Sequence, residues 1–308
     1  MKGIFIVFLV GLSTLSFSQQ EPQYSMFWNN YSLFNPANTA SSQEIISLGA
    51  NYRTKFVDSG IQPHLCSVNY ENKIEKINSG VGFGYSFDKV KLSKSNKIYL
   101  NYAYHLSIGK RSSLNFGISF DYNIRKYNNT WYGPDGQNDP SLPYSNPQGK
   151  VNVNLGILFR SEKLKLGMSL TQVNTPFFDE LSFTNARHIF WLASYNFHIK
   201  NTINYTPTIY YKGDFVNSII EINNMFDYKK KVFLGVTYRD EDAVSVQLGY
   251  QLKLYTRSSN SNGAVDMGAL KGASDLLKIM YSYDINIGPL AEYGFNTHEL
   301  SFIYKIFR

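Results

Sequence analysis

The sequence predicts an all-β protein, a transmembrane antiparallel β-barrel of the outer-membrane kind with about 14 strands, and three observations carry that prediction. The first is composition. The chain has 308 residues, of which 16% are aromatic and 17% charged, whereas a soluble domain carries about 25% charged residues. Few charges and many aromatics exclude a disordered chain. A mean hydropathy of −0.27 excludes a bundle of membrane helices, each of which needs about 20 apolar residues in a row. The second observation is period. Leu114, Phe116, Ile118, Phe120, Tyr122 and Ile124 alternate with Asn115, Gly117, Ser119, Asp121 and Asn123, as a strand with one apolar and one polar face requires. The third is length. Many alternating segments run for about 10 to 13 residues, longer than an ordinary strand and right for a tilted span of the bilayer.

The elements follow in order. Lys2, the apolar run 4–12 and Ser16-Phe17-Ser18 predict a secretory signal over residues 1–18. Residues 19–43 show no strand pattern but are rich in Tyr, Phe and Asn and hold Trp28. They are expected as a periplasmic lead-in or as a plug folded into the lumen, where aromatic and amide groups would satisfy a polar wall. The barrel is expected over 44–308, with strands at 44–55, 63–71, 79–88, 97–109, 112–125, 150–160, 163–171, 187–198, 203–211, 214–223, 231–239, 243–255, 275–285 and 297–307. Only near Asp275 to Ile279 does a helical period compete. The small residues Gly80, Gly82, Gly84 and Ser86 on one polar face suit a lumen lined by side chains and water. A secreted β-sandwich is the soluble alternative.

Link lengths give the expected topology. The shortest links, 109–111 and 161–162, follow even-numbered strands and are placed in the periplasm, with both termini. The segments 126–149 and 172–186 follow odd-numbered strands and are placed outside. Segment 256–274, rich in Ser, Gly and Asn, falls on the periplasmic side by this count and fits a short-turn pattern poorly. Leu300, Phe302, Tyr304 and Ile306 carry the last strand to the carboxyl end.

Charge and catalytic residues add little. The formal net charge is +7, but its Lys and Arg are scattered, with no run longer than Lys229–Lys231, so nucleic acid is not an expected partner. Cys66 is the only cysteine, which excludes an internal disulfide. The five histidines are His64, His105, His188, His198 and His298, and no Gly-x-Ser-x-Gly elbow or paired-histidine zinc motif accompanies them. His105 falls on a lumen position and reads as a network member. Asp240-Glu241-Asp242 reads as a solvated turn, or else as a contact for a divalent cation or a basic partner. The chain is thus read as a non-enzyme, with no cofactor and no metal.

Several short motifs resemble those of one family. Gln20 to Met26, which includes Pro22 and Gln23, followed by Asn35-Pro36-Ala37, looks like the opening of the PorP/SprF family of Bacteroidota membrane proteins. Tyr52-Arg53 resembles the family's Tyr-Arg-x-Gln-Trp segment without its Gln-Trp pair. Asp88 also fits. Tyr281-Ser282-Tyr283-Asp284 and His298-Glu299 resemble its closing elements, with Thr297 in place of Ser. The resemblance spans the mature chain. It implies an outer-membrane barrel of the type IX secretion system, of the gliding and adhesin kind. Its implied partners are other components of that system and a secreted cargo with a type B carboxyl-terminal domain, which it helps to secrete or anchor. Trp131, Tyr132, Tyr144, Phe177 and Phe178 in the outer loops are the expected cargo contacts, because large aromatics dominate interface energetics. A porin-like channel for a small solute is the alternative.

Overall fold

Fourteen antiparallel strands close into one barrel, each paired with its neighbour in sequence. The computed structural model describes residues 22–55, 62–90, 93–127, 147–174, 177–178, 183–184, 186–214, 216–257, 273–288, 291 and 296–307. The expected signal, residues 1–18, lies outside the described residues, as does most of segment 256–274.

The strands are β1 (Ile46–Thr54), β2 (His64–Ile74), β3 (Ser79–Val90), β4 (Ser93–Gly109), β5 (Ser112–Tyr127), β6 (Gln148–Arg160) and β7 (Leu164–Thr171). Next come β8 (His188–Tyr195, continued by Phe197–Lys200), β9 (Ile203–Gly213), β10 (Ser218–Tyr228), β11 (Val232–Arg239), β12 (Ala243–Arg257), β13 (Ala273–Asn286) and β14 (Thr297–Ile306). The ring closes where β1 pairs with β14, Ile46 opposite Ile306 and Tyr52 opposite Leu300. A closed ring leaves no strand edge unpaired, which a membrane span requires.

Burial is inside out. In β4, Tyr99, Asn101, Ala103 and His105 are buried while Leu100, Tyr102, Tyr104 and Leu106 are exposed. Leu100 is 59% exposed and Asn101 only 5%. In β5 the buried members are Asn115, Ser119, Asp121 and Asn123, and Phe116, Phe120 and Tyr122 face out. Polar side chains turned inward and an apolar outer belt are the reverse of a soluble sandwich. They match a wall between lipid and an enclosed lumen, and the sandwich alternative is thereby overturned.

One strand expectation is corrected. The tenth strand runs over Ser218–Tyr228, several residues beyond the expected 214–223. Asp214 accepts backbone N–H bonds from Val216 (3.0 Å) and Asn217 (2.6 Å), an Asx turn that holds this stretch out of the ladder. Asp275 to Ile279, where a helical period competes, are strand.

The turns 75–78, 110–111, 161–163, 201–202 and 229–231 share one end of the barrel with the start of β1 and the finish of β14. We call this the turn end. β12 finishes there at Arg257 and β13 begins there at Ala273. At the opposite, loop end β1, β5 and β7 finish and β2, β6 and β8 begin.

Candidate functional site

Residues 22–45 run along the inside of the wall. Two short 3-10 turns, Phe27–Leu33 and Pro36–Asn38, are the only regular structure there. Asn35 caps the second turn: its side chain accepts the Ala37 N–H, and Pro36 stands at the first helical position. A segment this irregular leaves backbone and amide groups unpaired, so the wall must satisfy them.

It does so around the ring. Near the loop end, the Ser25 hydroxyl donates to Asp284 (2.5 Å), and the backbone N–H groups of Ser25 and Met26 donate to Glu299 (2.6 and 3.2 Å). Gln23 donates to Glu221 (3.4 Å). Midway, the Asn35 amide donates to the carbonyls of Ile157 and Met168 (3.1 and 3.2 Å), and Asn101 donates to the Ser32 carbonyl (2.9 Å). Toward the turn end, His105 lies 3.0 Å from the Thr39 carbonyl, and Glu71 accepts from the Ser32 hydroxyl (2.5 Å) and the Ala40 N–H (2.7 Å). Lys305 pairs with Glu44 at 2.6 Å. Burial alone would raise the Glu44 carboxyl, but the Lys305 ammonium holds it below its ordinary value.

The segment's aromatics find an apolar socket in an otherwise polar wall. Tyr24, Phe27, Tyr31 and Phe34 pack with Tyr99, Leu158, Phe190 and Tyr210, and Phe27 stacks on Tyr210 at 4.3 Å between ring centres. Beside that socket the wall thins to glycine. A Cβ on Gly117 would stand 2.1 Å from the Ala37 nitrogen, and one on Gly156 would stand 2.1 Å from the Asn35 amide oxygen. A Cβ on Gly80, one of the small residues read from the sequence as lining a watery lumen, would stand 2.5 Å from the Thr39 carbonyl. These glycines let the segment's backbone approach the wall.

An ion network lies toward the loop end of the lumen. Arg53 on β1 pairs with Asp284 on β13 (2.9 Å) and Glu299 on β14 (3.0 Å), and also donates to the Ser25 hydroxyl. Arg239 on β11 reaches Glu221 on β10 (3.4 Å), Asp284 (3.5 Å) and Asp242 (2.9 Å). The guanidiniums are 2% and 0% exposed, and these carboxylates compensate the two buried charges. Burial, with the Arg53 charge beside it, pushes the Lys55 ammonium down to about 8.

The motif positions read from the sequence divide by parity. Arg53, Asp284 and Glu299 face inward and meet one another, with Gln23 close by at Glu221. Asn35, Pro36 and Ala37 form the midway tie. Their immediate neighbours face out: Tyr52 bonds His64 (2.9 Å) and Tyr281 bonds His298 (2.6 Å), with Tyr283 edge-on to that ring. Pro22 begins the described chain. Ser25 belongs to the Gln20–Met26 motif, whereas Glu71, Glu221 and Arg239 are not singled out by the sequence, although each sits on a polar-face position. Asp242 leaves its acidic neighbours to pair with Arg239. Among the described residues no group of three or more His, Cys, Asp or Glu is placed to hold a metal ion.

Of the expected cargo contacts, Trp131, Tyr132 and Tyr144 lie outside the described residues. Phe177 and Phe178 form a two-residue ladder with Phe183 and Thr184, Phe178 opposite Phe183.

The fold and its lumen define an outer-membrane β-barrel. Three solved structures share that fold. A FadL homologue of Pseudomonas aeruginosa has a TM-score of 0.53 at 11% identity, covering 90% of this chain and 94% of that one. The toluene transporter TbuX of Ralstonia pickettii has a TM-score of 0.51 at 8% identity, covering 91% and 94%. The monoaromatic hydrocarbon channel CymD has a TM-score of 0.50 at 10% identity, covering 91% and 93%. Such identities speak for the fold alone. No curated protein matches the chain in sequence. The family model described as type IX secretion system membrane protein PorP/SprF matches residues 16–304. The chain belongs to the PorP/SprF family. It is an outer-membrane protein associated with the type IX secretion system, and its fold and family are not those of a known enzyme class.

Proposed function

We propose that this barrel is a closed scaffold that helps to secrete or anchor a surface protein with a type B carboxyl-terminal domain, and not a route for free solute. One observation carries the reading: residues 22–45 occupy the lumen and are tied to side chains of β1, β2, β4, β6, β10, β13 and β14 and to a main-chain carbonyl of β7. A diffusion path needs an open lumen, whereas a docking scaffold needs a rigid one. Residues 22–45 act as the plug. The short turns and carboxyl end face the periplasm, and the loop end faces outward with segments 128–146 and 172–187 as the cargo surface. In that orientation the plug begins at the outer end, since Gln23 and Ser25 bond Glu221, Asp284 and Glu299 near the loop ends of their strands.

Purification of the full-length barrel from its native outer membrane in mild detergent tests the reading. A large surface protein should co-purify in a fixed ratio and be lost when 128–146 is shortened. A barrel that emerges alone, and conducts ions in a planar bilayer, would sink it in favour of a channel.

A further inference from the structure

Between residues 28–44 and the wall lies a cavity of about 350 Å³, set toward the turn end. Two ammonium groups line it from different parts of the ring, Lys165 on β7 and Lys278 on β13. Neither pairs with a carboxylate among the described residues. Lys165 lies 4.7 Å from the centre of the Tyr31 ring, and Lys278 lies 4.0 Å from the centre of the Phe233 ring. The two carboxylates on the same cavity are already engaged: Glu71 accepts from Ser32 and Ala40, and Glu44 is held by Lys305. The Asn69 side chain also lines the cavity, is 8% exposed, and has an amide oxygen that accepts no hydrogen bond.

The approach is basic as well. A wider cavity of about 800 Å³ adjoins at the turn end and shares Ser41, Ser42, Glu44, Lys305 and Phe307 with the first. Its lining holds Lys73, Lys110, Arg111, Arg160 and Lys305 against only Glu44 and Glu162. A low-dielectric vestibule lined by one sign of charge concentrates ligands of the other sign.

We propose that the inner cavity is a binding site for a small organic anion bearing a carboxylate or a phosphate, held between Lys165 and Lys278. The anionic group would receive charge-assisted hydrogen bonds from both ammoniums. Trp28, Phe233, Leu276 and Ile303 offer an apolar wall to its carbon body. The site is reached from the turn end and does not depend on cargo binding at the loop end.

Trp28 makes the test direct, because it lines the cavity and the chain has only 3 Trp. The full-length barrel carrying Trp131→Phe and Trp191→Phe is titrated in detergent with benzoate, phenyl phosphate or inorganic phosphate, and Trp28 fluorescence is followed. A saturable response to benzoate or phenyl phosphate is expected, and the stronger of the two identifies the preferred head group. Inorganic phosphate alone should respond more weakly, since it lacks the carbon body. Lys165→Gln or Lys278→Gln should weaken binding by about tenfold or more, the scale of one charged hydrogen bond. Lys165→Arg should retain it, and Lys200→Gln, exposed and outside both cavities, should change it by less than about twofold. Heat-modifiable gel migration verifies that each variant is a closed barrel. If the glutamine variants do not fold, loss of the wild-type response in high salt and its retention in Lys165→Arg decide the matter. No saturable response to either aromatic anion, or a response unchanged in folded Lys165→Gln/Lys278→Gln, overturns the proposal.

Discussion

Ser25 and Asp284 stand 259 positions apart in the chain and meet in the lumen at 2.5 Å. Asp284 carries Arg53 on the same carboxylate oxygen, so the amino-terminal segment is fastened to the barrel through a buried ion pair. Breaking that pair should therefore loosen the segment as well as the wall.

Arg53→Gln leaves Glu299 buried without its guanidinium and Asp284 with only Arg239, at 3.5 Å. Removal of one partner of a buried pair costs about 3–5 kcal/mol. The melting temperature of the barrel in detergent should fall, and Asp284→Asn should restore part of the loss in the double variant. Equal and fully additive losses would show that the two residues act independently.

Gly156→Leu should expel the segment without touching any charge. The new side chain would occupy the place of the Asn35 amide and Pro36, and overpacking forces a shift instead of a small adjustment. Introducing Ser32→Cys in a Cys66→Ser background gives a reporter. Its maleimide labelling should be slow in the parent and fast with Gly156→Leu; equal rates would mean the segment stays seated.

Deletion of residues 22–43 should convert a quiet barrel into a conducting one in a planar bilayer. The wall would persist, because every strand pairs with its neighbours independently of the segment. Conductance as large in the intact chain would contradict the closed-lumen reading.

Acid should release the tie between Glu44 and Lys305. Lys305 holds the Glu44 carboxyl below its ordinary value, and a carboxylate depressed in the folded state stabilises above its unfolded value. That contribution is present at neutral pH and fades as pH falls through and below the ordinary carboxylate value of 4.5. Its size is about 1 kcal/mol, because Lys305 is partly solvated. In Glu44→Gln the part of the acid sensitivity due to this pair should vanish, as read from melting temperature against pH.

The outer belt offers a depth test. Leu100→Arg places a charge on the lipid face and should cost about 2–4 kcal/mol near the bilayer midplane. Val90→Arg, close to the loop end of β3, should cost less. Similar losses at both positions would argue that the belt faces no lipid.

Much of this protein is written in its local pattern. A period of two assigns every residue of β4 or β5 to a face, and the face carries its chemistry with it, so strand number, order and the inside-out wall were all readable. The motif pairs Tyr52-Arg53 and His298-Glu299 were legible for the same reason, as one outward and one inward residue each. The tenth strand was misplaced because the Asp214 turn depends on side-chain bonds that periodicity does not register.

The lumen obeys no period. The chain of 22–45 is irregular, so nothing local says that Ser25 will meet Asp284, or Asn35 the carbonyls of Ile157 and Met168. Gly80, Gly117 and Gly156 read in sequence as small lumen residues, and only their distance to the segment's backbone reveals why they carry no side chain. Lys165 and Lys278 likewise read as scattered positive charge until closure of the ring brings both to one cavity. Local alternation determined the wall, because each side chain there answers to its own strand. Closure of the barrel decided the interior, because groups far apart in sequence must satisfy one another across an enclosed polar space.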